Sequence, residues 1–299
     1  MSDIKFDMKN FIRLFSGEGK KQELSELSEL VQAPMPENCL FCVSYGTDTG
    51  QIRATNEDSF FVDGKCTHVF GESEHGCYVE QTEGTHVFGL FDGMGGEDYG
   101  EIASELCAKA MESAYEGITS AVPDDIRGLM TEVCRSADNA ICDMIKERGA
   151  IAGGSTFVSA CVLGDTVQVY WLGDSRVYLW QDGVLEQLTC DHTVAAAKIA
   201  AGIYSAEEGT DSYDHHALTH FIGMNRLDEG MTVTACEPRQ FKEGSAVLLC
   251  SDGLTDMLTD AEIAEILSED SAAPALQLIA QALENGGRDN VTCIVIKKP

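Results

Sequence analysis

Short apolar runs, many of them alternating with polar residues and bounded by Gly or Asp, fill most of the chain after residue 38. Such runs predict strands that bury at least one face. The predicted strands span residues 39–45, 59–62, 156–163, 166–172, 176–180, 184–188, 246–250 and 291–296. The two-residue turns Gly164-Asp165 and Asp182-Gly183 each join two of these runs, which predicts antiparallel hairpins.

Apolar residues at helical spacing alternate with these strands along the chain. They predict helices at 99–115, 124–148, 194–201, 260–267 and 272–283. The stretch 193–217 around one short helix is acidic and less regular, and we expect it to form a surface flap.

The first 38 residues differ from the rest and are predicted to be an appended helical extension, followed by one domain over 39–299. Ile4, Met8 and Phe11 recur at helical spacing there, with Lys and Arg between them, before Pro34 and Pro36 end the pattern. One interpretation is an amphipathic helix for a membrane surface or a partner. The other is a helix packed on the domain, or a partly ordered tail.

Residues 63–84 are predicted to form a hairpin that turns near Gly71. Because positions i and i+2 share one face of a strand, Cys66, His68, His75 and Cys77 could converge on a zinc ion. A polar hairpin that contains Cys and His without metal is the commoner arrangement, so both interpretations stay open.

The stretch 85–104 carries the chain's most informative local chemistry. An apolar strand is predicted to stop at Asp92, and Gly93, Met94, Gly95 and Gly96 follow before a helix begins. Glycines allow a sharp turn and a close approach to a ligand, so a carboxylate here stands beside exposed peptide oxygens. Such a group can hold a hard cation. The alternative is a plain turn with a solvated Asp.

Acidic residues recur at strand ends and strand starts elsewhere. In antiparallel sheets the end of one strand lies beside the start of its neighbour, so these positions can gather at one edge. Seven carboxylates would then share a small volume: Glu57, Asp58, Asp92, Asp174, Asp252, Asp256 and Asp289. Like charges this close protonate or bind metal, and a set of oxygen ligands alone selects magnesium or manganese, as two or three ions.

Arg53 stands beside this site in sequence. Its planar guanidinium can bind phosphate oxygens through two parallel hydrogen bonds. The alternative is a surface ion pair with Glu57 or Asp58.

The composition argues against several classes of protein. The 299 residues carry 20 Lys plus Arg against 50 Asp plus Glu, a net charge of −30, which argues against nucleic-acid binding. The 12 cysteines are scattered through apolar runs rather than arranged as a disulfide framework. No run is long enough for a membrane span and the N-terminus lacks the apolar core of a signal peptide, so we expect a cytoplasmic protein.

Eight short motifs in order resemble the type 2C (PPM) family of metal-dependent Ser/Thr protein phosphatases, and especially its bacterial members. The resemblance covers residues 39–299. The motifs are RATNED at 53–58, DGMGG at 92–96, GST at 154–156, GDSR at 173–176, LTCDH at 188–192, LTHFIG at 218–223, DGLTD at 252–256 and GGRDNVT at 286–292.

The resemblance implies an α+β fold, a four-layer αββα sandwich of two antiparallel β-sheets flanked by helices. It also implies that Asp92 bridges two Mn²⁺ or Mg²⁺ ions and that the Gly93 carbonyl binds one of them. Asp252 and Asp289 would bind the other.

The remaining acids have implied roles too. Glu57 and Asp58 match residues that hold metal-bound waters, and Asp174, with Asp252 or Asp256, matches the acids of a weaker third ion. Arg53 matches the phosphate-binding Arg. The implied reaction is hydrolysis of phosphoserine and phosphothreonine in proteins by a metal-bridging hydroxide, which attacks in line without a phosphoenzyme.

Two residues depart from the wider family pattern. Met94 stands where many eukaryotic relatives have a His proposed as a general acid, and Met has no proton to donate. His220 replaces the usual Arg, with an expected effect on local packing or flap docking.

The expected partners are phosphorylated proteins, with a Ser/Thr kinase catalysing the opposing reaction, and we expect a monomer. Two alternatives remain open at this point. One is a catalytically silent regulatory or binding module on the same fold. The other is a phosphatase of a small phosphorylated metabolite.

Overall fold

The computed structural model describes residues 34–35, 39–66, 74–80, 83–94, 99–150, 153–210, 212–225 and 232–299. The predicted helical extension at 1–38 lies almost wholly outside these residues and stays a prediction. His68, one of the four residues considered as zinc ligands, also lies outside them.

Fourteen strands form in the described residues. They are β1 (Phe41–Asp48), β2 (Asp58–Val62), β3 (Lys65–Cys66), β4 (Glu74–Glu80), β5 (Thr85–Met94), β6 (Gly154–Ser155), β7 (Phe157–Leu163), β8 (Thr166–Leu172), β9 (Arg176–Gln181), β10 (Val184–Gln187), β11 (Thr234–Ala235), β12 (Arg239–Gln240), β13 (Ala246–Cys250) and β14 (Val291–Lys297).

The strands make two antiparallel sheets. One has six strands in the order β10-β9-β13-β14-β1-β4. The other has eight, with β11-β8-β7-β5-β2-β3 in line, β12 paired with β8 and β6 paired with β5. The hairpins predicted at Gly164-Asp165 and Asp182-Gly183 are confirmed as β7-β8 and β9-β10. In the second turn both central residues have positive φ, 54° and 78°, as the tightest hairpin turn requires.

Helices lie between the strands in sequence. They are α1 (Gly100–Thr119), α2 (Pro123–Arg148), α3 (Val194–Ala200), α4 (Ala206–Thr210), α5 (Asp252–Thr255), α6 (Asp260–Ser268) and α7 (Pro274–Glu284), together with a short 3₁₀ helix (Tyr213–His216). No helix among the described residues is both long and apolar enough to cross a membrane.

Three buried clusters show that the layers stack as helix, sheet, sheet, helix. Phe91 of β5 packs with Met111 of α1 and Met130 of α2 on one outer face. Residues such as Phe88 of β5 and Ile294 of β14 fill the space between the sheets, and α6 and α7 cover the outer face of the six-stranded sheet. Successive strand residues point to opposite faces of the sheet, so the two faces of β5 contribute side chains to two different clusters. The predicted four-layer αββα sandwich is confirmed.

The hairpin predicted over 63–84 is wrong. β3 pairs with β2 in the eight-stranded sheet, whereas β4 pairs with β1 at the edge of the six-stranded sheet. Cys66 and Cys77 therefore belong to different sheets. The Cys77 sulfur lies 3.7 Å from that of Cys42, and the Cys66 thiol donates to the carbonyl of Ala108. The two strands separate because each finds a free sheet edge to pair with.

The end predicted for the strand before Asp92 is also wrong. β5 continues through Met94, since Gly93 and Met94 pair with Ser155 and Gly154 of β6. Asp92 therefore stands inside a paired strand and not in a free turn, which fixes its backbone more firmly than the sequence implied.

Candidate active site

One open cavity of about 440 Å³ lies where strand ends of both sheets meet. Six of the seven predicted carboxylates line it, and so do Arg53 and Gly93. The lining residues are Arg53, Glu57, Asp92, Gly93, Met94, Thr156, Asp174, His216, Leu218, Asp252, Asp256, Arg288, Asp289 and Asn290. The predicted gathering of strand-end acids at one edge of the fold is what the structure shows.

Asp92 is held by hydrogen bonds on both sides of its backbone. Its N–H donates to Thr156 Oγ1 at 2.9 Å, and the Thr156 N–H donates back to the Asp92 carbonyl at 2.8 Å. The next residue must be glycine, because a Cβ on Gly93 would lie 2.1 Å from the carbonyl oxygen of Gly100 and 2.5 Å from that of Glu57. This close approach fixes Asp92 and Glu57 relative to each other.

Asp252 and Asp289 come together because their strands are neighbours. Asp252 follows β13 and Asp289 precedes β14, and these two strands pair antiparallel. Asn290 ties the loop of Glu57 to this edge: its side-chain amide donates to the Thr49 and Thr55 carbonyls and its oxygen accepts from Glu57 N. No role of Asn290 was predicted from the sequence.

Asp174 reaches the cavity from the loop between β8 and β9. The neighbouring Ser175 hydroxyl lies 2.7 Å from the Thr156 hydroxyl, the same group that contacts Asp92 N. One threonine therefore links the backbone of Asp92 to the loop that carries Asp174.

Asp58 is the one predicted acid that does not line the cavity. It is buried behind Asp92, its antiparallel partner, and its Oδ2 accepts hydrogen bonds from Thr292 (2.6 Å) and Ser251 (3.0 Å). Its other oxygen, Oδ1, is buried without a hydrogen-bond partner among the described residues. A buried carboxylate oxygen without a protein partner needs a water molecule or a cation to interact with.

The electrostatics of the site favour a bound cation. Burial raises the pKa of Asp58 to about 7 and that of Asp174 to about 8, with Asp252 adding to both shifts. Burial and the charge of Asp58 raise the pKa of Asp92 well above its usual value. Because these acids resist ionisation without a counter-charge, they fit divalent ions, which would restore the carboxylates.

Arg53 stands at the mouth of the cavity, with half of its side chain exposed. Its guanidinium donates to Asp289 Oδ2 at 2.6 Å, so the alternative of an ion pair with Glu57 or Asp58 is not what forms. Arg288 lines the same cavity and provides a second guanidinium that the sequence analysis missed.

His216 is the residue that most changes the predicted site. It ends the 3₁₀ helix of the flap and lines the cavity, with Nδ1 3.7 Å from Asp252 Oδ2 and Nε2 3.9 Å from Asp256 Oδ2. Contact with Asp252, with the charge of Asp256, raises the pKa of His216 to about 9. The prediction of a set of oxygen ligands alone did not include this imidazole, which lies beside two of the predicted acids. No motif marks His216, because its position depends on how an irregular segment folds back.

Comparison with known proteins gives a consistent result. The family model described as Protein phosphatase 2C matches residues 74–291. The serine/threonine protein phosphatase PstP of Mycobacterium tuberculosis is 29% identical over 251 residues, which make up 83% of this chain and 43% of PstP. The serine/threonine phosphatase stp of Listeria innocua is 28% identical over 258 residues, 85% of this chain and 94% of that protein. The chain thus spans less than half of PstP and nearly all of stp.

Solved structures show the same fold. The serine/threonine phosphatase of S. agalactiae superposes with a TM-score of 0.74 at 26% identity, covering 86% of this chain and 99% of that one. The catalytic domain of PstP in complex with two manganese ions gives a TM-score of 0.66 at 28% identity, covering 86% and 98%. Agreement in sequence and fold over most of the chain confirms the resemblance found in the motifs: the chain belongs to the protein phosphatase 2C family.

Proposed function

We propose that this protein hydrolyses phosphoserine and phosphothreonine in proteins with Mn²⁺ or Mg²⁺ as cofactor. The observation that carries the proposal is the convergence of six acids and Arg53 on one open cavity. Its relatives are named serine/threonine phosphatases, and one of them has been solved with two manganese ions.

Four groups would hold the two principal ions. They are the carboxylates of Asp92, Asp252 and Asp289 and the carbonyl of Gly93, which all belong to residues that line the cavity. Asp174 lies within electrostatic reach of Asp252, where a third ion would be shared. When bound, the ions would activate a water as nucleophile for in-line hydrolysis without a phosphoenzyme, and they would offset the phosphoryl charge.

The protein's own residues orient the substrate and the surrounding water. Arg53 would bind phosphoryl oxygens through its planar fork, and Asp289 fixes the guanidinium beside the cavity. Glu57 and the buried Asp58 would act as hydrogen-bond acceptors for water. Met94 lines the cavity but has no proton to donate, so protonation of the leaving group falls to water.

The substrate proposed is a phosphorylated protein, and a Ser/Thr kinase would catalyse the opposing reaction. The test is hydrolysis by the full chain of matched phosphoserine and phosphothreonine peptides, an aryl phosphate and a panel of phosphorylated metabolites, each with millimolar Mn²⁺ and with chelator. We expect peptide turnover that requires metal and disappears with chelator.

Two outcomes would overturn parts of this proposal. Hydrolysis of metabolites in strong preference to peptides would make the protein a metabolite phosphatase. An absence of metal-dependent hydrolysis with any substrate, together with chelator-resistant binding to a phosphopeptide, would make it a silent binding module. Asp92→Asn is the matched control, because it removes one charge from the cavity at nearly constant volume.

A further inference from the structure

His216 brings the only imidazole that lines the cavity within the described residues. One ligand atom each from His216, Asp252 and Asp256 lies within 4.8 Å of the other two. In an octahedral site with bonds of about 2.1 Å, neighbouring ligand atoms are about 3 Å apart and opposed ones about 4.2 Å apart. The ring approaches the two acids through different nitrogens, Nδ1 at 3.7 Å from Asp252 Oδ2 and Nε2 at 3.9 Å from Asp256 Oδ2, so one nitrogen must turn to face both acids. A small movement of the exposed ring would complete such a set.

The flap backbone that carries His216 is attached to the core close to the acids. Ala217 accepts a hydrogen bond from Val194 N at 2.8 Å, and Thr219 N donates to the His192 carbonyl at 2.7 Å. The His192 N–H in turn donates to the carbonyl of Gly173, the residue before Asp174. A short chain of backbone bonds therefore connects the flap to the loop of the third-ion acid.

Side chains reinforce this connection. His192 Nδ1 accepts from Gly173 N at 3.2 Å, and the His220 ring packs 4.9 Å from the His192 ring. Lys198 and Tyr204 both bind Asp214, inside the 3₁₀ helix that ends at His216. These contacts position the imidazole over the acids. They also give His220 a packing role beside the Asp174 loop.

We propose that His216 is a flap-borne ligand of the third ion, which it shares with Asp252, Asp256 and Asp174, and that its nitrogen makes this site prefer Mn²⁺ to Mg²⁺. The inference rests on the proposed function. Mg²⁺ is hard and binds oxygen ligands, whereas transition-metal ions accept imidazole nitrogen. The ion would then link the flap to the floor of the cavity.

The test measures metal binding by the full chain, independently of turnover. Mn²⁺ is titrated by calorimetry and by electron paramagnetic resonance, with pulsed detection of ¹⁴N coupling and with Mg²⁺ as competitor. We expect two tight sites and a weaker third site whose occupation brings imidazole ¹⁴N coupling. In His216→Gln the coupling disappears and the third site weakens at least about tenfold, while both tight sites remain.

Two further variants sharpen the test. His215→Gln alters the neighbouring imidazole, which does not line the cavity, and should keep both the coupling and the third site. His216→Asp puts a charged carboxylate in place of the imidazole and should recover a third site with less preference for Mn²⁺.

The outcomes separate the inference from the proposed function. A third Mn²⁺ without ¹⁴N coupling, or coupling that survives in His216→Gln, overturns the role of His216 and leaves the phosphatase proposal intact. Failure to bind any Mn²⁺ overturns the phosphatase proposal itself.

Discussion

Two groups of one His and two carboxylates occur in the described residues, and they differ in how their oxygens are used. The flap group is His216, Asp252 and Asp256, and the edge group is Asp63, Glu80 and His86. In the edge group Asp63 already has three close partners: His86 Nδ1 and the Tyr115 hydroxyl, both at 2.8 Å, and Val87 N at 3.3 Å. In the flap group the ring stays 3.7 Å or more from both acids.

Whether the carboxylate oxygens already accept protein hydrogen bonds, more than composition, separates a structural ion pair from a metal site. A carboxylate whose lone pairs accept protein hydrogen bonds has little left to offer a cation. The edge group also stands far from the chemistry, because His86 and Asp92 are six residues apart on β5, about 20 Å along a strand. We therefore assign the edge group to stability and the flap group to the active site.

The largest expected effect comes from the acids at the floor of the cavity. Asp92→Asn and Asp252→Ala should each lower kcat by about 10³-fold or more, because each removes a metal ligand worth several kcal/mol to the transition state. Initial rates at saturating Mn²⁺ measure this. Thermal melts in chelator should show little loss of stability for Asp92→Asn, because burial raises the pKa of Asp92 and Asn replaces the neutral acid at nearly constant volume. A kcat within tenfold of wild type in either variant contradicts the metal assignment.

Asp63→Asn should give the opposite result. Removing one partner of a buried, hydrogen-bonded ion pair should lower the free energy of unfolding by about 1–3 kcal/mol and leave kcat per folded molecule unchanged. Denaturant titration measures the free energy of unfolding, and rates normalised to the concentration of active sites measure kcat. Asp182→Asn, which breaks an exposed pair with Lys242, is the control and should cost less than about 1 kcal/mol. A large fall in kcat would mean that the edge group serves the chemistry.

Arg53→Ala should raise KM about tenfold and change kcat little, because an exposed charge-assisted hydrogen bond to phosphate contributes about 1.5 kcal/mol to binding. Arg53→Lys keeps the positive charge but lacks the planar guanidinium, so it should recover only part of the lost substrate affinity. Arg288→Ala makes the same change of charge in the same cavity and tests whether general electrostatic attraction explains the effect. Equal KM values in Arg53→Ala and Arg288→Ala would favour that explanation.

The smallest expected effect is on the pH dependence of stability without metal. The pKa values of Asp58 and Asp174, raised by burial to about 7 and about 8, exceed the value of about 3.9 for an unfolded aspartate. Between about pH 4 and about pH 8 the folded protein therefore binds more protons than the unfolded chain, and stability falls as pH rises. His216, with its pKa raised to about 9, acts in the same direction above about pH 6.5.

The pH dependence of stability that Asp63 contributes has the opposite sign. Burial alone would raise the pKa of Asp63, but its hydrogen bonds with His86 and Tyr115 lower it, so the stability that Asp63 contributes is lost as pH falls below about 4.

We expect Tm in chelator to fall by about 5 °C from about pH 5.5 to about pH 8.5, and excess Mn²⁺ to reverse the fall. Asp174→Asn should flatten the slope. A Tm that rises with pH in chelator would show that the floor acids are ionised without metal.

Much of the site could be predicted from sequence because its acids are attached to regular strands. Asp174 and Asp252 follow apolar strands, Asp92 ends the apolar part of β5, and antiparallel pairing places such positions beside strand starts. The motifs then predicted which family the chain belongs to. The prediction failed where pairing was not local: β5 gained two residues by pairing with β6, and β3 and β4 joined different sheets.

The sequence by itself determined most of the long strands, two of the antiparallel hairpins, the acidic edge and the family. Each of these follows from local periodicity, turn chemistry or the spacing of motifs. Only the tertiary structure decided that Asp58 is buried behind Asp92, that Arg53 pairs with Asp289, and that His216 lies over the acids. These facts depend on how loops and the flap dock onto the sheets. That docking is set by contacts between residues far apart in the chain, which no local pattern encodes.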